Sequence, residues 1–309
     1  MHAFPLAPLT LSVKPKEHLA LVGTSGAGKT SLLAGISRLL AVGGGKLILD
    51  GWEARSVALG RWRGALLCLP QQPLLLAGSV RHNLDPEGIE SDASLWEALR
   101  LVGLDSRVRL REAGIARDSV GVGRVLAQLG GDTKRVTSRE RGEICWGWGV
   151  TSSRAFTITI ARLQLSGGQR RLLVLARLLL RRRSAHLVLL DEPFAGMEQS
   201  EVTPLHSMLK QQLAHAALMA VTHRLLPILH FFSRILVFEK GCCVQDASPA
   251  ELLAVEGHVQ QLFLQAPSRL QSHVERMMAL RRSEGLHAVQ TLLQSVNSTG
   301  QSESEPPLT

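Results

Sequence analysis

Short apolar runs of strand length alternate with stretches of helical periodicity along most of the 309-residue chain. EHLALV, residues 17 to 22, reads as a buried strand ending in glycine. TSLLAGISRLLAV follows, with Leu32, Leu33, Ile36, Leu39 and Leu40 at helical spacing. KLILDG, residues 46 to 51, predicts a strand and turn, and GALLCLPQQP a strand broken at Pro70. SLWEALRLVGL, residues 94 to 104, is an amphipathic helix pattern. Helical patterning returns in QRRLLVLARLLLRR. HLVLL then predicts a strand ending in Asp191 and Glu192, and ALMAV, residues 217 to 221, a strand ending in Thr222 and His223. RILVFEKGCCVQDA predicts a hairpin about Lys240 and Gly241.

Strands alternating with helices imply a parallel sheet covered on both faces. Ligands in such sheets sit beyond the C-terminal strand ends. Gly23, Asp191 and His223 each follow a predicted strand end, so three distant segments should converge on one edge. Residues 113 to 158 break the alternation: they lack periodicity, are rich in glycine, arginine and serine, and include Trp146 and Trp148. They read as a partly disordered insertion. Residues 249 to 296 carry helical patterns, and 297 to 309 a polar, proline-bearing tail expected to be disordered.

Composition changes the picture little. Hydrophobic residues at 45% and charged residues at 20% suit a globular chain with a real core. The net charge of +9 comes from short clusters, such as Arg181, Arg182 and Arg183, Lys134, Arg135, Arg139 and Arg141, and Arg281 and Arg282. Aromatics are not interleaved with them, so solvated helix ends and loops are preferred to a membrane-surface patch, and no nucleic acid partner is expected. The cysteines Cys68, Cys145, Cys242 and Cys243 form no CxxC pair and read as buried free thiols in a reducing compartment. No signal peptide is evident, and no apolar run approaches the roughly 18 residues of a membrane span.

The chemistry is carried by GTSGAGKT, which fits G-x-x-x-x-G-K-[ST] between a strand and a helix. Gly23, Thr24, Ser25, Gly26, Ala27 and Gly28 form a loop whose N–H groups can face phosphate oxygens. Lys29 can reach the β- and γ-phosphates, the Thr30 hydroxyl can ligate Mg²⁺, and Ser31 is counted with them among the expected nucleotide-binding residues. Such a match arises by chance in roughly one chain of this length in a hundred. LVLLDEP puts Asp191 at a strand end near that Mg²⁺, with Glu192 next as a candidate general base. LSGGQ, residues 165 to 169, is a second phosphate-binding grammar: Ser166 and Gly167, Gly168 and Gln169 at a helix start.

These motifs, in this order and across residues 9 to about 265, resemble the nucleotide-binding domain of an ATP-binding cassette (ABC) transporter. LSGGQ matches the family signature, Gln71 in LPQQP the Q-loop glutamine, and His223 in AVTHR the switch histidine. KLILDGWEARSVALGRWRGALLCLPQQPLLLAGSVRHNLDP, with SLWEALRLVGL and ILVFEKGCCVQDASPAELL, resembles the C-subfamily, the multidrug-resistance-associated type. Glu192 resembles that subfamily's second, hydrolytically competent domain.

The resemblance implies a P-loop NTPase fold of α/β class. It has a mostly parallel sheet core, a helical signature subdomain and an antiparallel β-hairpin region. An ABC ATP-binding domain is expected over 1–265, interrupted by the insertion over 113–158. A helical C-terminal extension is expected over 266–296 and the tail over 297–309. The implied cofactors are ATP and Mg²⁺, with Thr30, Gln71 and Asp191 holding the metal and Glu192, His223 and Gln71 at the reaction. Two cassettes would pair head to tail, Ser166, Gly167, Gly168 and Gln169 of one closing over the γ-phosphate of the other. The chain would power export from the cytoplasmic face of a membrane, through a transmembrane domain expected to be missing from this chain. A regulatory cassette with little turnover and a soluble, non-transport ABC ATPase remain alternatives. Three features depart from the family pattern. The adenine-stacking aromatic would precede Met1, Glu198 stands at the D-loop aspartate, and the 113–158 segment is longer than expected.

Overall fold

The computed structural model describes residues 6–111, 156, 158–223, 231–252 and 279. Most of the 113–158 segment, the 266–296 extension apart from residue 279, and the 297–309 tail lie outside the described residues. The chain divides into two compact units, Met1–Leu74 with Arg181–Thr309, and Leu75–Leu180.

The first unit is built on a six-stranded sheet of order β4-β5-β6-β1-β7-β8. Its strands are β1 (His18–Gly23), β4 (Leu66–Leu69), β5 (Leu187–Asp191), β6 (Ala217–Val221), β7 (Arg234–Glu239) and β8 (Cys242–Ala247). All neighbours pair in parallel except β7 with β8, so an antiparallel edge closes a parallel sheet. β1, β5 and β6 are apolar almost throughout, as strands covered on both faces must be. On one face Leu19, Leu21, Leu189, Met219, Leu236 and Phe238 pack with Leu33 and Ile36 of α1 (Lys29–Ile36) and with Trp62 of α2 (Leu59–Gly64). Each fully buried leucine is worth roughly 1.5–3 kcal/mol. The predicted β7–β8 hairpin forms, with Lys240 at φ 46° and Gly241 at φ 84° supplying the left-handed turn.

Two sequence expectations change. The KLILDG strand reduces to β2 (Ile48–Leu49), paired with β3 (Trp52–Glu53) around Asp50 and Gly51, both at positive φ. The helix expected to run to Val42 ends at Ile36, and Leu39 is 67% exposed. The cause is a C-terminal cap. The Leu39 N–H donates to Ala34 O at 2.8 Å and the Arg38 N–H to Gly35 O at 3.0 Å, with Arg38 at φ 56°. This is a Schellman motif with arginine in the place glycine usually takes. Trp62 Nε1 caps the same end by donating to Ile36 O at 2.8 Å. The described cysteines are free, but Cys68 and Cys242 are exposed rather than buried, because they lie on outer strands of the sheet.

The second unit contains α3 (Val80–Leu84), α4 (Asp92–Leu101), α5 (Ile160–Leu163) and α6 (Gly167–Leu180). α3 and α4 pack on α6. Leu172 to Ala176, with Leu178 and Leu179, are all buried, which is why LLVLARLLL reads as apolar nearly all round. Phe156 and Ile158, at the end of the stretch read as an insertion, are buried, and Phe156 packs against Trp96 with ring centroids 4.3 Å apart and the rings tilted by 36°. No helix among the described residues is long and apolar enough to cross a membrane.

Candidate nucleotide site

Parallel pairing brings the C-terminal ends of β1, β5 and β6 level with one another. Leu21 is in register with Val221, and Asp191 with Val221. The phosphate loop therefore leaves β1 on the edge where Asp191, Glu192, Thr222 and His223 leave β5 and β6. Gln71 is exposed, two residues beyond the end of β4, whose Leu69 pairs with Leu190. The convergence expected from the sequence is present in the backbone.

Gly23, Gly26 and Gly28 adopt φ of 142°, 79° and 98°. At Gly23 a Cβ would lie 2.0 Å from the Phe238 carbonyl oxygen of β7, so strand pairing itself requires glycine there. The Gly241 N–H donates to Ala27 O at 3.2 Å, tying the hairpin turn to the loop. Thr24, Ser25, Gly26 and Thr30 face solvent, whereas Lys29 is only 6% exposed. Its ammonium donates to Gly23 O and Thr24 O, both at 2.8 Å. Burial pushes the Lys29 pKa down, and the Glu192 and Asp191 carboxylates pull it back up. α1 begins at Gly28 with no side-chain cap, so its first N–H groups keep their capacity for an anion.

Burial raises the Asp191 pKa above its ordinary value, against a hydrogen bond from Thr30 that lowers it. Asp191 Oδ1 is buried and has no hydrogen-bond partner. A buried, unpartnered carboxylate oxygen beside a hydroxyl is the donor set a hard divalent cation takes, so Thr30 and Asp191 fit Mg²⁺. Glu192 has φ 47°, a left-handed conformation uncommon outside glycine, and its N–H donates to Val221 O at 3.1 Å. Glu192 Oε1 lies 3.2 Å from His223 Nε2.

In the helical unit Ser166 and Gln169 satisfy each other. The Gln169 N–H donates to Ser166 Oγ at 3.2 Å, and the Ser166 N–H donates to Gln169 Oε1 at 3.1 Å. The signature is thus a capping box at the start of α6, with Gly167 and Gly168 as its first two helical residues. Arg107 fixes the approach to it, donating from Nη2 to Leu163 O at 3.3 Å and to Gln164 O at 3.0 Å, where Gln164 has φ 48°. Sequence reasoning missed Arg107, because an arginine contacting carbonyls 56 and 57 residues away leaves no local pattern. Glu198 stands at the N-cap of α7 (Gln199–Gln212), and its N–H donates to Glu201 Oε2 at 3.2 Å.

Motif, fold and edge geometry define a P-loop nucleotide-binding domain. The ABC transporter family model matches residues 6–195, and the chain belongs to that family. It is 30% identical over 252 residues to human ATP-binding cassette sub-family C member 2, an alignment spanning 82% of this chain and 14% of that protein. Mouse ATP-binding cassette sub-family C member 10 is 31% identical over 258 residues, spanning 84% of this chain and 14% of its own length. Multidrug resistance protein fer6 of Mycosarcoma maydis is 30% identical over 251 residues, spanning 81% and 15%. The chain thus spans about a seventh of the length of these relatives, which all carry transporter names of the type the sequence resembles. The fold also matches the structure of a bacterial Atm1-family ABC exporter with ATP bound, with TM-score 0.65 and 19% identity, over 85% of this chain and 39% of that one.

Proposed function

We propose that the chain is an ATP-binding and hydrolysing cassette that pairs head to tail with a second cassette and powers export through a transmembrane partner, at the cytoplasmic face of a membrane. The observation that carries this reading is the meeting of Lys29, Thr30, Asp191, Glu192 and His223 on one sheet edge, with Glu192 3.2 Å from His223.

Lys29 and the loop N–H groups about Gly26 and Gly28 bind the β- and γ-phosphates of ATP. Thr30, Asp191 and Gln71 hold Mg²⁺, which when bound neutralises charge shared by those phosphates. Glu192 accepts a proton from water as the water oxygen bonds to the γ-phosphorus. The bond from that phosphorus to the bridging oxygen breaks, leaving ADP and phosphate. His223 holds the Glu192 carboxylate in place and meets the γ-phosphate. Ser166 uses its hydroxyl oxygen to cap α6, so its O–H proton is available as a donor to the γ-phosphate held by the other cassette, beside the positive end of the helix.

Glu192→Gln in the full chain tests the reading. Mg-ATP affinity is expected to stay within about twofold. Turnover should fall by about 10²–10⁴-fold, the usual contribution of a general base, while an ATP-dependent dimer accumulates. Unchanged turnover removes Glu192 from the base role. ATP binding with no phosphate release by the unaltered chain, assayed with a membrane-domain partner present, would instead favour the regulatory cassette.

A further inference from the structure

The chain enters the signature turn through a backbone reversal that its sequence does not favour. α5 is a single turn ending at Leu163, and Gln164 follows at φ 48° and ψ 54°. Glycine, and less often asparagine, usually takes that left-handed place after a helix, and other side chains are strained there. Leu163 and Leu165, on either side of it, are both buried, and Ser166 opens the capping box one residue later. α5 has stopped, so the Leu163 and Gln164 carbonyls fall outside its hydrogen-bond ladder.

Arg107 supplies what that ladder does not. Residues 105–111 are helical and are seated by the buried Leu104 and Val108, with the Val108 N–H donating to Leu104 O at 3.1 Å. From there a single nitrogen, Nη2, donates to both carbonyls. Arg107 Nε is buried and has no hydrogen-bond partner. An idle buried donor is unfavourable, so the guanidinium is not placed to satisfy itself; what it serves is the pair of carbonyls about Gln164. The body of α6 has a separate anchor, Arg177, which donates from Nε to the Asn83 carbonyl oxygen and from Nη2 to Asn83 Oδ1 at 3.3 Å.

We infer that Arg107 is a positioning residue that holds Gln164 in its left-handed conformation and so presents Ser166 to the γ-phosphate of a paired cassette. ATP held by the chain's own phosphate loop does not depend on it. The presentation rests on the pairing reading above, whereas the hold on Gln164 rests on the hydrogen bonds alone. Removing the guanidinium frees both carbonyls and lets Gln164 relax to a commoner backbone conformation, which re-aims Ser166. Asparagine tolerates the left-handed region, so Gln164→Asn should restore the turn without the arginine. General loss of support would not be repaired by that substitution.

The test uses the full chain carrying Glu192→Gln, in which the Mg-ATP dimer is expected to persist, alone, with Arg107→Met, and with Arg107→Met plus Gln164→Asn. Sedimentation should show the dimer weakened by about tenfold or more with Arg107→Met, and returned to within about threefold once Gln164→Asn is added. Mg-ATP affinity at dilutions too low for pairing should agree among all three within about twofold. Without nucleotide, hydrogen exchange at the Gln169 and Arg170 amides should quicken by about tenfold with Arg107→Met and slow again in the double variant, with β1, β5 and β6 unchanged. A dimer of unaltered strength in Arg107→Met overturns the inference, as does loss of the chain's own Mg-ATP affinity alongside it, or no recovery with Gln164→Asn. If the Glu192→Gln chain never pairs on Mg-ATP, the pairing reading fails with the presentation of Ser166. The exchange comparison then decides the hold on Gln164: quickening reversed by Gln164→Asn upholds it, and equal exchange overturns it. Should Arg107→Met not fold, Arg107→Gln, whose amide nitrogen stands in the place of Nε and two bonds short of Nη2, is held to the same outcomes.

Discussion

Two helices in this protein begin behind glycine-bearing phosphate grammar, and they begin differently. α1 starts at Gly28 with no side-chain cap, behind a loop held open by positive-φ glycines and by strand pairing. α6 starts inside a reciprocal cap in which Ser166 and Gln169 satisfy each other. An uncapped helix start leaves its first N–H groups to water or an anion, whereas the capping box satisfies the Ser166 and Gln169 N–H groups within the helix. On the reading proposed above, the first holds the chain's own nucleotide and the second meets one presented by a paired cassette.

That contrast can be broken most sharply at Gly23. Gly23→Ala drives a methyl group into the Phe238 carbonyl at a φ that L-residues rarely adopt. The expected cost is about 3 kcal/mol or more, seen as a fall in Tm of roughly 6–12 °C and loss of Mg-ATP binding. Tm and affinity at the unaltered level would mean that the β1–β7 approach is looser than described.

A smaller effect should follow at the other helix. Ser166→Ala removes the cap acceptor for the Gln169 N–H, at about 1 kcal/mol, a loss of roughly 2–4 °C in Tm. Affinity of the same chain's phosphate loop for Mg-ATP, measured by calorimetry at dilutions too low for cassettes to pair, should not change. A drop in affinity would show that the two helix starts are not independent.

The mildest substitution should stabilise. Burial holds the Asp191 pKa above its ordinary value of 3.8, so the folded chain takes up a proton more readily than the unfolded one. Stability without Mg²⁺ therefore declines as pH rises from the ordinary carboxylate range through the raised pKa, and the full penalty persists above it. Asp191→Asn should raise Tm at pH 7 by about 2 °C without Mg²⁺, lose that advantage below pH 3.8, and show no stabilisation by Mg²⁺. A lower Tm at neutral pH in thermal melts would contradict a penalised carboxylate.

Most of the parallel sheet is legible in the sequence because its strands are short apolar runs ending at chemically marked residues, Gly23, Asp191 and His223. The helix after Lys29 was overread because Leu39 and Leu40 keep helical spacing, while the stop signal sits in Arg38, a residue with no special propensity for a left-handed turn. The signature turn was legible as five adjacent residues. Its supports were not: Arg107, Asn83 and Arg177 act on carbonyls and amides up to 94 positions away, and distance along the chain hides such partners from periodicity and motif alike. Glu192 was legible as an acid, but its left-handed backbone was not.

Lys29 offers three protons, and two already rest on the Gly23 and Thr24 carbonyls. The loop is thus curved around its own lysine, like a hand closed on its thumb. Part of the cost of ordering the cradle is then met during folding, and an incoming triphosphate meets the third Lys29 proton together with the N–H groups of the helix start.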